Sequence, residues 1–294
     1  GNTKYEKRGL SNTTAKWIKE NCIECGMCSI VCPHAVIRPI IDGPDSLEHI
    51  KDFATNKNYS VIISKEDCTG CWLCSKVCPG KLGEKAIILT EKEQNTDLEI
   101  ETFNNHININ NLPKNTIKGC QYEKSLFSFS GACAGCGETP YIKLLTQLFR
   151  HKLVIANATG CSSIYGASCP STPYSIPWAN SLFEDNAEFA LGIHISYKQK
   201  RERIKYIMKE TINSVEIDVK NLFTKWLENE NDFEVTNKIK SELKGKTLPK
   251  ELNDLIDYVP ARTVWAIGGD GWAYDIGYGG LDHVLHSNEN IKVL

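Results

Sequence analysis

Two copies of one cysteine motif restrict what this chain can fold into more than any other feature of its sequence. The pattern CxxCxxCxxxCP occurs at residues 22–33 and again at residues 68–79. Three thiolates at this spacing can hold three corners of an iron–sulfur cube, while the fourth cysteine, followed by proline, ligates the other cluster. The sequence therefore predicts two [4Fe–4S] clusters in a ferredoxin-like domain of the α+β class.

The duplicated motif predicts two ligand sets that cross between the copies. One predicted cluster is bound by Cys22, Cys25, Cys28 and Cys78. The other is bound by Cys32, Cys68, Cys71 and Cys74. Because cysteines supply every ligand, we expect His34 to pack near a cluster rather than to bind iron. Electron transfer is the function that these clusters imply.

A structural zinc site is the alternative interpretation of closely spaced cysteines. A zinc ribbon uses two CxxC pairs around one tetrahedral ion. That arrangement explains neither the third cysteine of each copy, nor the fourth cysteine before proline, nor the duplication. The pattern therefore favours iron–sulfur clusters over zinc.

The charge balance and the cysteine content narrow the class of protein. The 294 residues include 34 basic and 36 acidic side chains, a balance that gives no indication of a nucleic-acid or anionic-membrane partner. No run of roughly eighteen apolar residues is present, and the sequence GNTKYEKRGL at the start has no apolar core of a signal peptide. The 13 cysteines therefore fit a cytoplasmic protein whose thiols bind metal, rather than a disulfide framework.

Changes in sequence character divide the chain into four predicted segments. Residues 1–21 form an N-terminal arm, and residues 22–92 form the two-cluster domain, with strands predicted at 59–63 and 86–89. Residues 93–118 form a polar linker. Residues 119–294 form a second domain of the α/β class with a parallel sheet. Within it, a charged insertion at about residues 197–255 has apolar side chains at helical spacing, which indicates helices with one packed face.

Strand and helix signals alternate in the second domain. Thr139 and Pro140 precede an apolar stripe, so the sequence predicts a helix that begins there with Thr139 as its cap. The stripe consists of Tyr141, Leu144, Leu145 and Leu148. Buried strands are predicted at residues 152–156, 263–267 and 291–294. Since the sequence ends inside the last of these strands, we expect the chain to be a fragment with an incomplete second domain.

A further group of cysteines lies in the second domain. Cys133 and Cys136 form a CxxC pair among glycines, and Cys161 follows the first predicted strand. A single CxxC pair also fits a redox dithiol, half of a zinc site or two buried cysteines. In a chain with two other clusters, glycines that let a bulky cofactor approach the backbone favour a third cluster with these three ligands. Cys120 and Cys169 are candidates for the fourth ligand by count, although an isolated cysteine is more often a small buried hydrophobe.

A glycine-rich turn follows the strand predicted at 263–267. Its sequence is GGDGW, at residues 268–272, and a helical pattern comes next. α/β proteins bind phosphate groups at such turns, and Asp270 could ligate a magnesium ion that bridges a diphosphate. The same sequence also forms ordinary tight turns. The turn is a candidate diphosphate site, and its alternative is a purely structural role.

Several motifs together resemble one enzyme family across nearly the whole chain outside the charged insertion. They are CPHAVIRP at residues 32–39, FSGACAGCGETPY at 129–141, NATGCSSIYGAS at 157–168, WANSLFEDNAEF at 178–189 and WAIGGDGWAYDIGYGGLDHVL at 265–285. In this order they resemble pyruvate:ferredoxin (flavodoxin) oxidoreductase, a longer multidomain enzyme that uses thiamine diphosphate. The resemblance covers its ferredoxin-like domain and most of its thiamine-diphosphate-binding domain.

The resemblance implies roles for individual residues. Cys133, Cys136 and Cys161 match three ligands of the cluster nearest the thiamine in that family, and neither Cys120 nor Cys169 matches the fourth. The positions that match contacts to thiamine diphosphate are Glu138, Cys161, Gly269, Asp270, Gly271 and Trp272, with Asp270 as the magnesium ligand. The family's second magnesium-binding segment, its cofactor-activating glutamate and most contacts to pyruvate and coenzyme A have no match here. No catalytic residue is therefore assigned within this chain.

The function implied by the resemblance is the thiamine-dependent oxidative decarboxylation of pyruvate with coenzyme A to acetyl-CoA and carbon dioxide. Electrons would pass through [4Fe–4S] clusters to ferredoxin or flavodoxin, in an enzyme that is a homodimer when complete. The fragment alone is expected to be inactive. Two alternatives stay open: a non-catalytic module that carries electrons and binds cofactor, and an enzyme for another 2-oxoacid. The diphosphate motif argues against a bare ferredoxin.

Overall fold

The chain folds into two compact units. The computed structural model describes residues 2–108 and 112–294. The first unit comprises Gly1–Arg150 together with Thr172–Ser175, and the second comprises His151–Ser171 together with Ile176–Leu294. The segment 119–150, which the sequence places in the second domain, belongs to the first unit because it packs against the cysteine motifs.

Two small antiparallel sheets form the frame of the first unit. Their strands are Thr13–Trp17 (β1), Ile37–Ile41 (β2), Ile50–Lys51 (β3), Asn58–Ile63 (β4) and Ile87–Glu91 (β5). One sheet pairs β1 with β5, and the other has the order β2-β4-β3. Both strands that the sequence predicts here are present as β4 and β5. The predicted N-terminal arm contributes β1, whose backbone pairs with β5 and whose Ala15 and Trp17 side chains are buried.

Two short helices carry the cysteine motifs. They are Met27–Ile30 (α1) and Leu73–Val77 (α2). Cysteines and aliphatic side chains share one core between these helices and the sheets. Its fully or nearly fully buried members include Ala15, Cys32, Ile37, Ile41, Tyr59, Cys68, Cys74, Cys78 and Ile87. Four motif cysteines are thus buried, whereas Cys22, Cys25, Cys28 and Cys71 are half-buried.

The segment that the sequence predicts as a linker, residues 93–118, contains one helix and the start of a second. They are Asp97–Asn105 (α3) and Ile117–Gln121 (α4). The Thr96 hydroxyl accepts a hydrogen bond from the Glu99 N–H, and the Glu99 carboxylate accepts one from the Thr96 N–H. This reciprocal capping box stabilises the first turn of α3. Residues 109–111 of the predicted linker lie outside the described residues.

Helix α5, Thr139–Phe149, begins where the sequence predicts, but its cap and its buried face differ from the prediction. Glu138 occupies the N-cap position without a capping side-chain hydrogen bond, and Thr139 is the first helical residue. Tyr141 is 60% exposed and Leu148 is 37% exposed, so the apolar stripe does not define the buried face. The buried residues of α5 are Thr139, Ile142, Lys143, Leu145, Thr146 and Gln147. A largely polar face of α5 therefore lies inside the first unit.

A parallel sheet organises the second unit. Its strands are Leu153–Asn157 (β6), Trp178–Asn180 (β7), Thr263–Ile267 (β8) and Lys292–Val293 (β9), in the order β7-β6-β8-β9. All three pairings are parallel. The predicted α/β class with a parallel sheet is confirmed. Helix α6, Cys161–Gly166, follows β6.

The charged insertion folds as part of a helical layer with its own core. The helices from the end of β7 to the start of β8 are Asn186–Thr211 (α7), Ile217–Glu228 (α8), Phe233–Leu243 (α9) and Lys250–Asp254 (α10). On α8, Val219, Phe223 and Trp226 are buried at helical spacing. They pack with apolar side chains of α7, α9 and α10. The buried positions are among those that the periodicity of the sequence marks.

A turn and a helix connect β8 to β9. A π-helical turn spans Gly271–Ile276, and helix α11 spans Tyr278–His286. Apolar side chains of α7 and α11 pack with β6 and β8 around the buried Trp272. Within the described residues, no helix is both long enough and apolar enough to cross a membrane.

Candidate functional site

Two cavities in the first unit separate the motif cysteines into two groups of four. One cavity is lined by Cys22, Cys25, Cys28 and Cys78. The other is lined by Cys32, Cys68, Cys71 and Cys74. In each group, three cysteines come from one copy of the motif and the fourth comes from the other copy. The fold therefore brings together the two crossed sets that the spacing predicts.

The crossing has a local structural cause. Cys28 lies on α1 and Cys74 lies on α2, and these two helices pack against each other. Cys32 and Cys78 each lie just beyond the end of one helix, before a proline. Because each helix ends beside the other motif, the cysteine after it reaches the neighbouring cavity.

The environment of the thiols suits metal binding. Burial raises the pKa of the Cys74 thiol to about 12 and also raises the pKa of the Cys28 thiol, with neighbouring cysteines adding to both shifts. A buried thiolate therefore needs a cationic partner, and iron supplies that charge. Two backbone groups assist: the Glu24 N–H lies 3.4 Å from the Cys22 sulfur, and the Ala86 N–H lies 3.3 Å from the Cys78 sulfur. Such N–H···S hydrogen bonds influence the reduction potential of a bound cluster.

Each group of thiols surrounds a space rather than a point. Across residues 2–108 and 112–294, no three His, Cys, Asp or Glu side chains are placed to hold a single metal ion. Four cysteines around one cavity are what a cube with an iron at each corner needs. The linings of the two cavities therefore fit iron–sulfur clusters.

A group of charged side chains beside the first cavity is not evident from sequence patterns. The Lys118 ammonium contacts Glu24 Oε2 at 2.5 Å and also contacts the carboxylate of Asp52, whose side chain is fully buried. Burial acts to raise the pKa of Asp52, but hydrogen bonds from Lys118 and its neighbours outweigh it and hold the pKa below its usual value. Burial raises the pKa of Glu24. Lys118 thus ties α4 to the loop between Cys22 and Cys25.

The CxxC loop at residues 133–136 lies close to Cys71, which lines the second cavity. His34 lines that cavity and is buried, and its Nδ1 lies 3.2 Å from the Ser130 carbonyl oxygen. At Gly135 the backbone has φ +76°, and a Cβ there would lie 3.7 Å from Cβ of Cys71. The first unit thereby places the CxxC loop next to a predicted cluster ligand.

The three cysteines predicted for the third cluster do not belong to one unit. Cys133 is exposed and Cys136 is half-buried, and both lie in the first unit. Cys161 is exposed and begins α6 in the second unit. Glu138, which is also exposed, lies in the first unit at the start of α5. A common site for these residues stays a prediction.

The two cysteines that were candidates for a fourth ligand have local partners. Cys120 is buried, and its thiol donates to the Ile117 carbonyl at 3.2 Å. Cys169 is exposed, and its sulfur accepts a hydrogen bond from the Trp178 N–H at 3.4 Å. Neither lines the two cysteine cavities.

Cys161 and the glycine-rich turn follow the carboxyl ends of neighbouring strands. Strands β6 and β8 are paired in parallel, with Asn157 opposite Ile267. The loops that continue from them touch, since a Cβ at Gly268 would lie 2.7 Å from Cβ of Ala158. The crevice outside the carboxyl ends of parallel strands is where α/β proteins bind ligands. The second unit therefore has a candidate diphosphate site at this edge.

Packing beneath the turn holds its backbone in place. The Asn186 amide donates to the carbonyls of Ala156 at 3.3 Å and Ile267 at 3.1 Å, which joins α7 to the ends of β6 and β8. Trp272 is fully buried under the turn. Since its indole lies in the core, a contact between Trp272 and a bound diphosphate would come from its backbone.

The glycine-rich turn after β8 is exposed to solvent at two positions. Gly269 and Asp270 are exposed, and space around a Cβ at Gly269 is free to 4 Å among the described residues. At Gly271 a Cβ would lie 2.3 Å from the ring of Phe183, so this position requires glycine. An exposed carboxylate beside accessible backbone fits a hard cation and its phosphate ligand.

A family model matches the first of these sites. The model is described as a 4Fe-4S dicluster domain, and it matches residues 21–82. This segment contains both cysteine motifs and the cysteines of both cavities. The chain therefore carries a 4Fe–4S dicluster domain.

Curated relatives match the whole of this chain. Pyruvate:ferredoxin oxidoreductase of Moorella thermoacetica is 42% identical over 330 aligned residues, and pyruvate-flavodoxin oxidoreductase of Klebsiella pneumoniae is 39% identical over 320. A mitochondrial pyruvate dehydrogenase [NADP(+)] of Euglena gracilis is 38% identical over 324. Each alignment covers 100% of this chain but 28%, 27% and 18% of the respective relative. The chain thus spans less than a third of the length of these relatives.

Proposed function

We propose that this chain, which is homologous along its whole length to one section of the pyruvate:ferredoxin and pyruvate-flavodoxin oxidoreductases, is the electron-carrying section of such an enzyme. The observation that carries the proposal is the pair of cavities, each lined by a crossed set of four cysteines, in the segment that matches the dicluster domain. The proposed reaction is the oxidative decarboxylation of pyruvate with coenzyme A to acetyl-CoA and carbon dioxide.

The motif cysteines are the proposed ligands of two [4Fe–4S] clusters, which exchange single electrons when bound. Burial of Cys32, Cys68, Cys74 and Cys78 limits the access of bulk water to them, and the N–H groups of Glu24 and Ala86 stabilise negative charge on the sulfurs of Cys22 and Cys78. Cys133, Cys136 and Cys161 are the proposed ligands of a third cluster. The proximity of Gly135 to Cys71 supports this role, because Cys71 lines the second cavity.

The exposed turn after β8 is the proposed binding site for thiamine diphosphate and Mg²⁺. Asp270 is the proposed magnesium ligand, and Gly269, Gly271 and the backbone of Trp272 are proposed to face the diphosphate. Glu138 and Cys161 are proposed as further contacts. Thiamine diphosphate, when bound, supplies the carbanion chemistry that decarboxylation of a 2-oxoacid needs. The chain's own contribution is a rigid sheet edge that holds the metal and the diphosphate.

Ferredoxin or flavodoxin is the proposed electron acceptor, as in the names of the Moorella and Klebsiella relatives. The Euglena relative is named for NADP⁺, so a similar section also occurs in a protein with a different acceptor. We propose that the complete protein is a cytoplasmic homodimer.

The test is an anaerobic assay of the full-length protein with several 2-oxoacids. Reduction of a viologen dye is followed with pyruvate, 2-oxoglutarate or a branched-chain 2-oxoacid, each with and without coenzyme A. We expect the highest kcat/KM with pyruvate, a requirement for coenzyme A, and no turnover by the 294-residue chain alone. A preference for another 2-oxoacid would support the alternative substrate class. Absence of turnover with every 2-oxoacid would support a non-catalytic module.

A further inference from the structure

Lys143 is a buried ammonium group to which the proposed function assigns no role. It lies on α5 with 1% of its surface exposed. Its polar partners are backbone carbonyls, and within the described part of the chain it forms no ion pair with a carboxylate. Burying an uncompensated charge is costly, so its position calls for a source of negative charge nearby.

The partners of Lys143 lie between the two cysteine cavities. Its Nζ donates to the carbonyl of Ser29 and to the carbonyls of Ile30 at 3.1 Å and Cys32 at 3.5 Å. Ser29 and Ile30 belong to α1, which also carries Cys28 of the first cavity. Cys32 lines the second cavity. One positive charge is therefore adjacent to ligands of both proposed clusters.

A buried polar network fixes this side of α5 against α1 and α4. The Ser29 hydroxyl donates to Gln121 Oε1 at 2.8 Å, and Gln121 Nε2 donates to Gln147 Oε1 at 3.2 Å. Gln147 Nε2 in turn donates to the Glu123 carbonyl at 2.9 Å. This network accounts for the buried Gln147 on α5, and it includes Ser29, whose carbonyl accepts a hydrogen bond from Lys143.

Electrostatics at Lys143 agrees with its position. The Lys143 ammonium lies against the carbonyl of Cys32, a proposed cluster ligand, and against the carbonyl of Ser29, the residue that follows Cys28. A [4Fe–4S] cluster with four thiolate ligands carries net negative charge, and reduction adds one further electron. Charges interact more strongly in a protein interior than in water. A fixed positive charge at this position therefore favours the reduced state of both clusters.

We propose that Lys143 is a positioning residue whose charge raises the reduction potentials of the two clusters held by the crossed cysteine sets. The proposal rests on the cluster assignment within the proposed function, and it does not depend on the identity of the 2-oxoacid. Its effect is expected to be larger on the cluster of Cys32, whose carbonyl Lys143 contacts directly.

The test uses the full-length, cluster-loaded protein and three variants. Lys143→Met removes the charge, Lys143→Arg keeps it, and Gln147→Leu disrupts the same buried network without removing a charge. Midpoint potentials are measured by redox titration followed by electron paramagnetic resonance. We expect lower midpoint potentials for both clusters in Lys143→Met, and values close to wild type in Lys143→Arg and Gln147→Leu.

Unchanged midpoint potentials in Lys143→Met, or an equal shift in Gln147→Leu, would overturn the proposal. If Lys143→Met does not load clusters, iron and acid-labile sulfide decide the outcome. If Lys143→Arg and Gln147→Leu bind clusters and Lys143→Met does not, the clusters need the positive charge. If all three variants fail to bind clusters, the role of Lys143 is packing, and the proposal is overturned. Because the potentials are measured without substrate, failure of pyruvate turnover would contradict the proposed function and leave this inference standing.

Discussion

At the scale of single residues, the sequence predicts the roles of the motif cysteines but not those of two buried or half-buried lysines. The crossed ligand sets follow from spacing alone, because three cysteines of each motif bind one cube and the fourth, which precedes a proline, binds the other cube. Lys118 and Lys143 belong to no such pattern. Lys118 contacts Glu24 across 94 residues of sequence, and Lys143 contacts Ser29 across 114. Contacts of this range depend on the tertiary fold, so motifs do not reveal them.

Replacement of Cys78 tests the crossed ligation. Since Cys78 lines the cavity of the first motif, Cys78→Ala should remove a ligand of the cluster held by Cys22, Cys25 and Cys28. We expect loss of one cluster's iron and sulfide and of its paramagnetic signal. The matched control is Cys120→Ala, a buried cysteine outside both cavities, which should keep both clusters. Loss of the cluster held by Cys68 and Cys71 instead would contradict crossing.

Replacement of Asp270 tests the metal site at the glycine-rich turn. In the full-length protein, Asp270→Ala should weaken binding of thiamine diphosphate and Mg²⁺ severely, because the bridging cation loses a protein ligand. Binding is measured by calorimetry. The paramagnetic signals of the two clusters in the dicluster domain should persist. Asp282→Ala, an exposed carboxylate on α11, is the control and should bind the cofactor normally. Wild-type affinity and metal dependence in Asp270→Ala would make the residue a turn element only.

At the scale of helices and strands, apolar runs predict the β-strands well and the helix surfaces less well. β4, β6 and β8 lie within a residue of their predicted bounds because buried strands need continuous apolar side chains. The buried face of α5 is missed because periodicity counts apolar residues, whereas α5 packs Lys143 and Gln147 against other polar groups. The sequence TDLE at residues 96–99 contains the capping box of α3, but the polar composition around it predicts a loop.

The helical layer around the charged insertion has its own core, which predicts a local effect of mutation. Phe223 is fully buried on α8, whereas Ile217 at the start of the same helix is 73% exposed. Phe223→Ala should destabilise this layer by about 3–5 kcal/mol, whereas Ile217→Ala should change little. Hydrogen exchange is expected to show lost protection confined to α7–α10, with unchanged cluster signals. Lost cluster signals in Phe223→Ala would contradict a separate role for this layer.

At the scale of the whole molecule, sequence predicts the two fold classes, and the structure adds the arrangement within each unit. Parallel pairing follows from alternating strands and helices, but the order β7-β6-β8-β9 depends on how the helices cover the sheet. The first unit includes α5, because contacts of its polar face hold it to the cysteine motifs. Because this chain aligns with 28% of the Moorella relative, catalysis is tested on the full-length protein.

The most direct test of the central claim is whether pyruvate reduces the clusters of this chain. Full-length protein is mixed anaerobically with pyruvate and coenzyme A, frozen within the turnover time and examined by electron paramagnetic resonance. Dithionite-reduced protein defines the full signal of the dicluster domain, and Cys78→Ala identifies the part due to the first cavity. We predict that pyruvate produces the dicluster signals in wild-type protein and that acceptor addition removes them. Dicluster signals that develop with dithionite but never with pyruvate would contradict the claim.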